Sequence, residues 1–209
     1  MEEEITKNKL VVIDAEGNIH EDRTVEGLDV EFRTTYSMVV IHEPIHFENC
    51  HILAESNSYV EIFPSTYEIV NLQISAKNHS EVIIQENFAC REALIENHDE
   101  PNLKVSIGKD CMFSYGIIIR VSDGHTIFST EDSSILNRPK VGVTIGDHVW
   151  VGMRASILKD VTIPNNTIIG AGSLVTKSFT EENTIIAGTP AKVIKKNVNW
   201  HHLHTDFFK

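Results

Sequence analysis

Residues 143–175 read VTIGDHVWVGMRASILKDVTIPNNTIIGAGSLV, and an aliphatic residue recurs there at every sixth position. These positions are Ile145, Val151, Ile157, Ile163, Ile169 and Val175. A helix repeats every 3.6 residues and a strand every two, so a period of six belongs to neither. Sides of six residues, three to a turn, predict a parallel β-helix. One aliphatic side chain from each side enters a narrow triangular prism, and hydrogen bonds join successive coils.

A longer repeat precedes this stretch. The clusters Val39–Ile41, Val60–Ile62, Val82–Ile84 and Val105–Ile107 are spaced by more than the roughly 18 residues of a regular coil. We expect the additional residues at polar corners such as 55–58 and 77–80, whose composition is typical of turns. Ile107 and Ile145 are 38 residues apart. We interpret this spacing as one coil with a long insertion that projects from the prism.

The predicted organisation has three parts. Residues 1–38 form an N-terminal capping segment with two strands. Residues 39–187 form the β-helix, with the projecting loop at about 126–142. Residues 188–209 form a C-terminal segment and a tail rich in histidine and aromatic residues.

The repeats resemble those of the hexapeptide-repeat acyltransferases, and most closely those of bacterial sugar and capsular polysaccharide O-acetyltransferases. The strongest part of the resemblance spans residues 107–196. It implies an all-β fold, a left-handed parallel β-helix, with a projecting loop and a short C-terminal extension. It also implies acetyl-CoA as acyl donor and a homotrimer with sites between subunits.

His125 is the candidate general base. A sugar hydroxyl is too weak an acid to attack a thioester unaided at neutral pH, and imidazole can take its proton and return it to the leaving thiolate. His125 follows Ser122-Asp123-Gly124 just before the predicted loop, where the resembling enzymes place their catalytic histidine. A surface histidine without a role is the alternative. The following residue is Thr126, whereas the maltose and galactoside branch has proline, so the resemblance favours the capsular branch.

Trp150 is the second candidate for the catalytic site. It lies one place before the inward Val151, so we expect its indole on the outer wall, where it could orient an acetyl carbonyl or a sugar oxygen. Packing in an oligomer interface is the alternative. The resemblance places the matching tryptophan in the active site. It also assigns the Gly152-Met153 pair to the cofactor, with the Met153 amide on the thioester carbonyl. His148 is expected to be structural.

The phosphates of CoA require cations, and Lys177, Lys192, Lys195 and Lys196 all follow the repeats. A solvated charged face is the alternative for any one of them. By the resemblance, Ala171 contacts the pantetheine arm, Thr176 and Lys177 lie at the adenosine end, and Lys192 and Lys195 belong to the basic C-terminal segment.

Composition excludes several classes. The net charge of −12 argues against a general nucleic-acid binder. Three cysteines without Cys-x-x-Cys spacing favour a reducing, cytoplasmic setting. The acidic start does not resemble a signal peptide, and no apolar run reaches the roughly 20 residues of a membrane span. His201, His202 and His204 lack acidic or cysteine partners at ligand spacing, so we expect no metal.

The sequence therefore predicts an acetyl-CoA-dependent O-acetyltransferase acting on a hydroxyl of a bacterial capsular or lipopolysaccharide glycan. Two alternatives stay open at this point. The same histidine could serve N-acetylation of an amino sugar, and a β-helix of this kind could be a noncatalytic binding or scaffold protein. The acceptor itself is not identified by the sequence.

Overall fold

A computed structural model describes residues 7–97, 100–203 and 205–207, and strands dominate it. The strands are β1 (Lys9–Ile13), β2 (Ile19–Glu21), β3 (Leu28–Phe32), β4 (Met38–His42), β5 (His46–Glu48), β6 (Cys50–Ala54), β7 (Tyr59–Ile62), β8 (Glu68–Val70), β9 (Leu72–Ala76), β10 (Glu81–Ile84), β11 (Ala89–Cys90), β12 (Ala93–Asn97), β13 (Lys104–Ile107), β14 (Met112–Phe113), β15 (Ile117–Arg120), β16 (Gly142–Ile145), β17 (Trp150–Val151), β18 (Ser156–Leu158), β19 (Val161–Ile163), β20 (Ile168–Ile169), β21 (Leu174–Val175), β22 (Thr184–Gly188) and β23 (Ala191–Lys196). A 3-10 turn, Thr205–Phe207, follows them.

Three sheets form the faces of a prism. Face I holds β1, β4, β7, β10, β13, β16 and β19 in parallel order, with β2 antiparallel at its end. Face II runs from β5 through β8, β11, β14, β17 and β20 to β22 and β23, and face III from β3 through β6, β9, β12, β15 and β18 to β21. The chain passes from face I to face II, then to face III, and back to face I. The predicted fold, an all-β parallel β-helix, is confirmed.

The six-residue period produces the core. Ile145, Val151, Ile157, Ile163, Ile169 and Val175 are each at most 1% exposed. Strand pairing stacks equivalent residues: Ile107 pairs with Ile145, and Ile145 with Ile163. Each coil therefore places its aliphatic side chain directly on that of the coil before, which removes the whole column from water.

The early coils have the predicted length. Ile62 pairs with Ile84 and Ile84 with Ile107, so these coils contain 22 and 23 residues. The additional residues lie at corners, where 55–58 connects β6 to β7 and 77–80 connects β9 to β10. Left-handed backbone at Asn57 and Asn78, with φ of 61° and 55°, turns the chain there. Asparagine tolerates that conformation better than most residues.

The boundary predicted at residue 39 is too late. β1 pairs in parallel with β4, and β3 pairs in parallel with β6, so residues 9–32 already form part of a first coil. The six-residue phase does not reach these residues because the early coils have longer corners. The antiparallel strand β2 covers the outer edge of β1 and closes this end of face I.

The long insertion lies between β15 and β16, as predicted. β15 ends at Arg120, and the buried Val121 is the last core residue before the loop. The chain returns at Gly142, where Ile107 pairs with Ile145 and the coil pattern continues. Gly142 has φ of 94°, and a β-carbon there would collide with the backbone oxygen of Lys104. A side chain would therefore block the return of the chain to face I.

At the other end, β22 and β23 form an antiparallel hairpin that completes face II. The basic segment predicted for the cofactor thus lies on β23. Across the described ranges, no helix has the length and apolar character needed to cross a bilayer.

Two adjacent residues on β15 test the packing account. Ile119 is 0% exposed inside the prism, whereas Ile118 points outward and is 39% exposed. We expect Ile119→Ala to lower the free energy of unfolding by about 2–5 kcal/mol, because the stacked column cannot close the cavity. Ile118→Ala should cost clearly less. Chemical denaturation at a fixed protomer concentration measures both, and equal losses would contradict the account.

Candidate active site

His125 lies exposed at the base of the projecting loop. The side chain of Asn137, on the returning arm of the loop, donates hydrogen bonds to the His125 carbonyl oxygen and to Oδ2 of Asp123, each at 2.8 Å. Its Oδ1 accepts from the Ile127 N–H at 2.8 Å. One amide therefore ties both arms of the loop together and fixes the backbone that carries the imidazole.

A second link joins the loop base to the next coil. Lys159, after β18, donates to the Asp123 carboxylate. That hydrogen bond, with the one from Asn137, holds the pKa of Asp123 below its usual range. Asp123 is therefore ionised at neutral pH and anchors His125 to the corner between faces III and I.

Trp150 lies on face II, and its ring points outward as predicted, with 37% of the residue exposed. Met112 and Ile168 flank it on the neighbouring strands. The Trp200 ring of the tail lies 6.1 Å from the Trp150 ring, centroid to centroid.

The tail is anchored by a tryptophan that the sequence does not mark as structural. The Trp200 ring stacks on His148 at 4.3 Å, and its Nε1 donates to the His148 carbonyl oxygen at 2.8 Å. Trp200 is 9% exposed. His148 is therefore a half-buried corner residue that anchors the tail, which is a structural role.

Gly152, Met153 and Ala171 stack at the corner between faces II and III. The Met153 carbonyl oxygen accepts from the Gly172 N–H at 2.8 Å. A β-carbon on Gly152 would come within 2.7 Å of the Ala171 nitrogen, so only glycine allows the two coils to approach here. Ala171 is exposed, and the Met153 N–H has no hydrogen-bond partner within the described ranges.

Cations without a carboxylate partner concentrate in the loop and in the chain that follows it. Within the described part of the chain, the Lys and Arg residues that make no ion pair are Lys7, Arg138, Lys140, Arg154, Lys177, Lys192 and Lys195. Lys177, Lys192 and Lys195 are all exposed and available to an anion. Lys196 is engaged, since it pairs with Glu181 at 2.7 Å.

The predicted residues fall into two groups on opposite sides of the prism. His125, Thr176 and Lys177 lie at the corner between faces III and I, which follows β15 and β21. Trp150, Gly152, Met153, Ala171, Lys192 and Lys195 lie on face II or at the corner that ends it. The corner between faces III and I is the one opposite face II. A single chain therefore does not bring His125 to Trp150.

The described residues contain no group of three His, Cys, Asp or Glu side chains that could hold a metal ion. His202 stacks on Tyr67, with ring centroids 4.4 Å apart. His201 lies beside it in the tail, and His204 lies outside the described residues. The part played by Asn137 and by the tail could not be read from the sequence, because both depend on contacts over long distances along the chain.

Comparison with known proteins agrees with this architecture. The family description "Bacterial transferase hexapeptide (six repeats)" matches residues 142–177. A polysialic acid O-acetyltransferase of Neisseria meningitidis is 50% identical over 97 residues, which cover 46% of this chain and 45% of that protein. One of Escherichia coli O1:K1 is 38% identical over 96 residues, 46% of this chain and 31% of that protein. The chain thus spans less than half the length of these two curated relatives.

The crystal structure of the polySia specific acetyltransferase NeuO superimposes with a TM-score of 0.74. It is 27% identical and covers 96% of this chain and 81% of its own. The resemblance recognised in the sequence is therefore confirmed, in the repeats and along nearly the whole fold.

The loop clamp gives a direct test. Asn137→Ala removes three hydrogen bonds worth about 1 kcal/mol each, so the loop base should open more often. We expect trypsin to cleave after Lys140 about tenfold faster or more, because cleavage follows the population of the open loop. Glu131→Ala, an exposed position in the same loop, is the control. If both variants are cleaved at the wild-type rate, Asn137 does not hold the loop.

Proposed function

We propose that this chain, whose residues 142–177 carry the hexapeptide repeats of bacterial transferases, is an acetyl-CoA-dependent O-acetyltransferase. Its acceptor is a sugar hydroxyl of a capsular or lipopolysaccharide glycan. The observation that carries the proposal is the position of His125. Its side chain is exposed, and Asn137 holds its main chain at the base of the loop. Its imidazole makes no competing side-chain contact among the described residues and is available to a substrate.

His125 acts as general base. Its imidazole takes the proton of the acceptor hydroxyl while the hydroxyl oxygen attacks the acetyl carbonyl carbon. The Asn137 and Asp123 contacts hold the histidine backbone in place during this step. The imidazolium then returns the proton to the departing sulfur, so the residue ends in its starting state.

The residues at the end of face II fit an acyl-CoA. The bound donor supplies an acetyl group activated as a thioester. The Met153 N–H has no partner in the described structure and would donate to the carbonyl oxygen as negative charge develops there. Gly152 and the small Ala171 leave the corner open to a narrow chain such as pantetheine. Lys192 and Lys195 would pair with phosphates, since no acid neutralises them within the described ranges. Lys177 lies at the corner that carries His125, so it would reach the same phosphates only from a second copy.

The complete site requires two chains. His125 and Trp150 lie on opposite sides of one prism. They meet only if the corner that carries the loop in one copy packs against face II of another copy. Exposed apolar side chains support such a contact. Phe128 in the loop is 58% exposed, and Met153 beside face II is 45% exposed. A head-to-tail contact closes into a ring of three when each copy is rotated by a third of a turn from the one before, and we propose the homotrimer implied by the resemblance.

Transfer is direct, without a covalent acyl-enzyme. Burial raises the pKa of Cys111 to about 12 and also raises the pKa of Cys50 and Cys90, so none of the three thiols supplies a thiolate. All three are free and buried, which supports our proposal of a cytoplasmic location.

The variant His125→Ala tests the proposal. Loss of a general base typically lowers the rate by 10²-fold or more, and we expect a fall of about that size in kcat. The Kd for CoA, measured by calorimetry, should stay within about twofold, because none of the predicted phosphate contacts is made by His125. His79→Ala, at an exposed corner of an early coil, should keep wild-type kcat. A folded His125→Ala protein with full kcat would refute the mechanism.

A further inference from the structure

A cavity of about 500 Å³ opens on face II next to Trp150. Its floor includes Met112, and its walls are Trp150 on one side and the stacked rings of Tyr67 and His202 on the other. Its volume lies within the range of roughly 300–1,000 Å³ that small-ligand pockets usually have. Of the residues that line it, Trp150 alone belongs to the site proposed above.

The tail builds the outer wall. Trp200 fixes the tail to His148, and the His202 ring packs edge-on against Trp200 at 4.8 Å and flat on Tyr67 at 4.4 Å. The Nε2 atom of His202 is buried and has no hydrogen-bond partner in the described structure. The wall therefore combines aromatic rings with an unpaired ring nitrogen, that of His202. Such a surface suits a pyranose ring, because a pyranose has apolar faces and polar edges.

The polar groups of the cavity carry no net charge. Arg91 pairs with Glu68 at 2.8 Å, and both line the opening. A paired carboxylate and guanidinium offer acceptors and donors to neighbouring hydroxyl groups. They do not offer an unpaired cation to a carboxylate, because Glu68 already occupies the guanidinium.

The early coils, which supply the Tyr67 side of the cavity, are strongly acidic. Residues 1–100 contain 21 of the 30 Asp and Glu residues and only 6 of the 18 Lys and Arg residues. Five of those six cations form ion pairs: Lys9, Arg23, Arg33, Lys77 and Arg91. A polymer with one negative charge on each sugar would be repelled along this surface.

We propose that this cavity is the acceptor subsite, and that it takes a sugar residue without net negative charge, stacked between Trp150 and the Tyr67–His202 pair. The inference rests on the proposed function and deepens it. The named relatives are polysialic acid enzymes, and the charge of this chain points to a different class of acceptor. The sugar hydroxyl to be acetylated would project past Trp150 toward His125 of a second copy.

The test compares two acceptors of equal length, a neutral glycan and a carboxylated one, at low and moderate salt. We expect the higher kcat/KM for the neutral glycan, with little dependence on salt. A higher kcat/KM for the carboxylated glycan, falling steeply as salt is added, would overturn the inference and leave the proposed function intact. Acetylation of neither, by a protein that binds CoA in calorimetry, would overturn the proposed function and the inference with it.

Two variants locate the subsite. His202→Ala should raise the acceptor KM roughly three- to tenfold through loss of the aromatic wall, with the acetyl-CoA KM unchanged. His46→Ala, an exposed histidine on the same face outside the cavity, should change neither. Glu68→Gln frees Arg91 and should raise kcat/KM for the carboxylated glycan about two- to fivefold. Acceptor kinetics unchanged in both cavity variants would exclude this cavity as the acceptor subsite.

Discussion

The parallel ladder between coils is the constraint on which the structure depends. Each coil hydrogen-bonds to the next in register, so every inward position must carry a side chain that fits directly above its predecessor. The resulting prism is filled by aliphatic side chains that are almost completely buried. It leaves no room for a substrate inside. Chemistry is therefore confined to what projects from the faces and corners: the loop with His125, the indole of Trp150 and the tail.

The period of six was sufficient to predict the late coils and the insertion, because nothing interrupts the pattern between Ile145 and Val175. It also identified Trp150 as outward, since a residue next to an inward position must point away from the prism. The first coil could not be recognised from the sequence. The early coils contain 22 and 23 residues, so the six-residue period is absent from this part of the chain. The stacking of His148 on Trp200 joins residues 52 positions apart, and no local pattern reports a contact of that kind.

Charge divides the molecule along its axis. Cations in the early coils pair with carboxylates of neighbouring strands, as Arg91 does with Glu68 and Lys104 with Glu81. Such exposed pairs stabilise little individually, but they leave an acidic surface on which Lys7 is the one unpaired cation among residues 7–97. The later coils hold exposed lysines that no carboxylate neutralises within the described part of the chain. This difference in charge separates the lysines proposed to bind the donor phosphates from the proposed acceptor subsite.

The central claim is that His125 of one chain acts beside Trp150 of another, and complementation between two defective proteins tests it most directly. His125→Ala and Trp150→Ala proteins are each prepared, mixed in equal amounts, and co-refolded so that their chains assemble at random. Our account predicts activity in the mixture approaching about a quarter of the wild-type value, because about one interface in four then pairs an intact His125 with an intact Trp150. A mixture no more active than the average of its two components, with mixed oligomers shown by mass spectrometry, would contradict it.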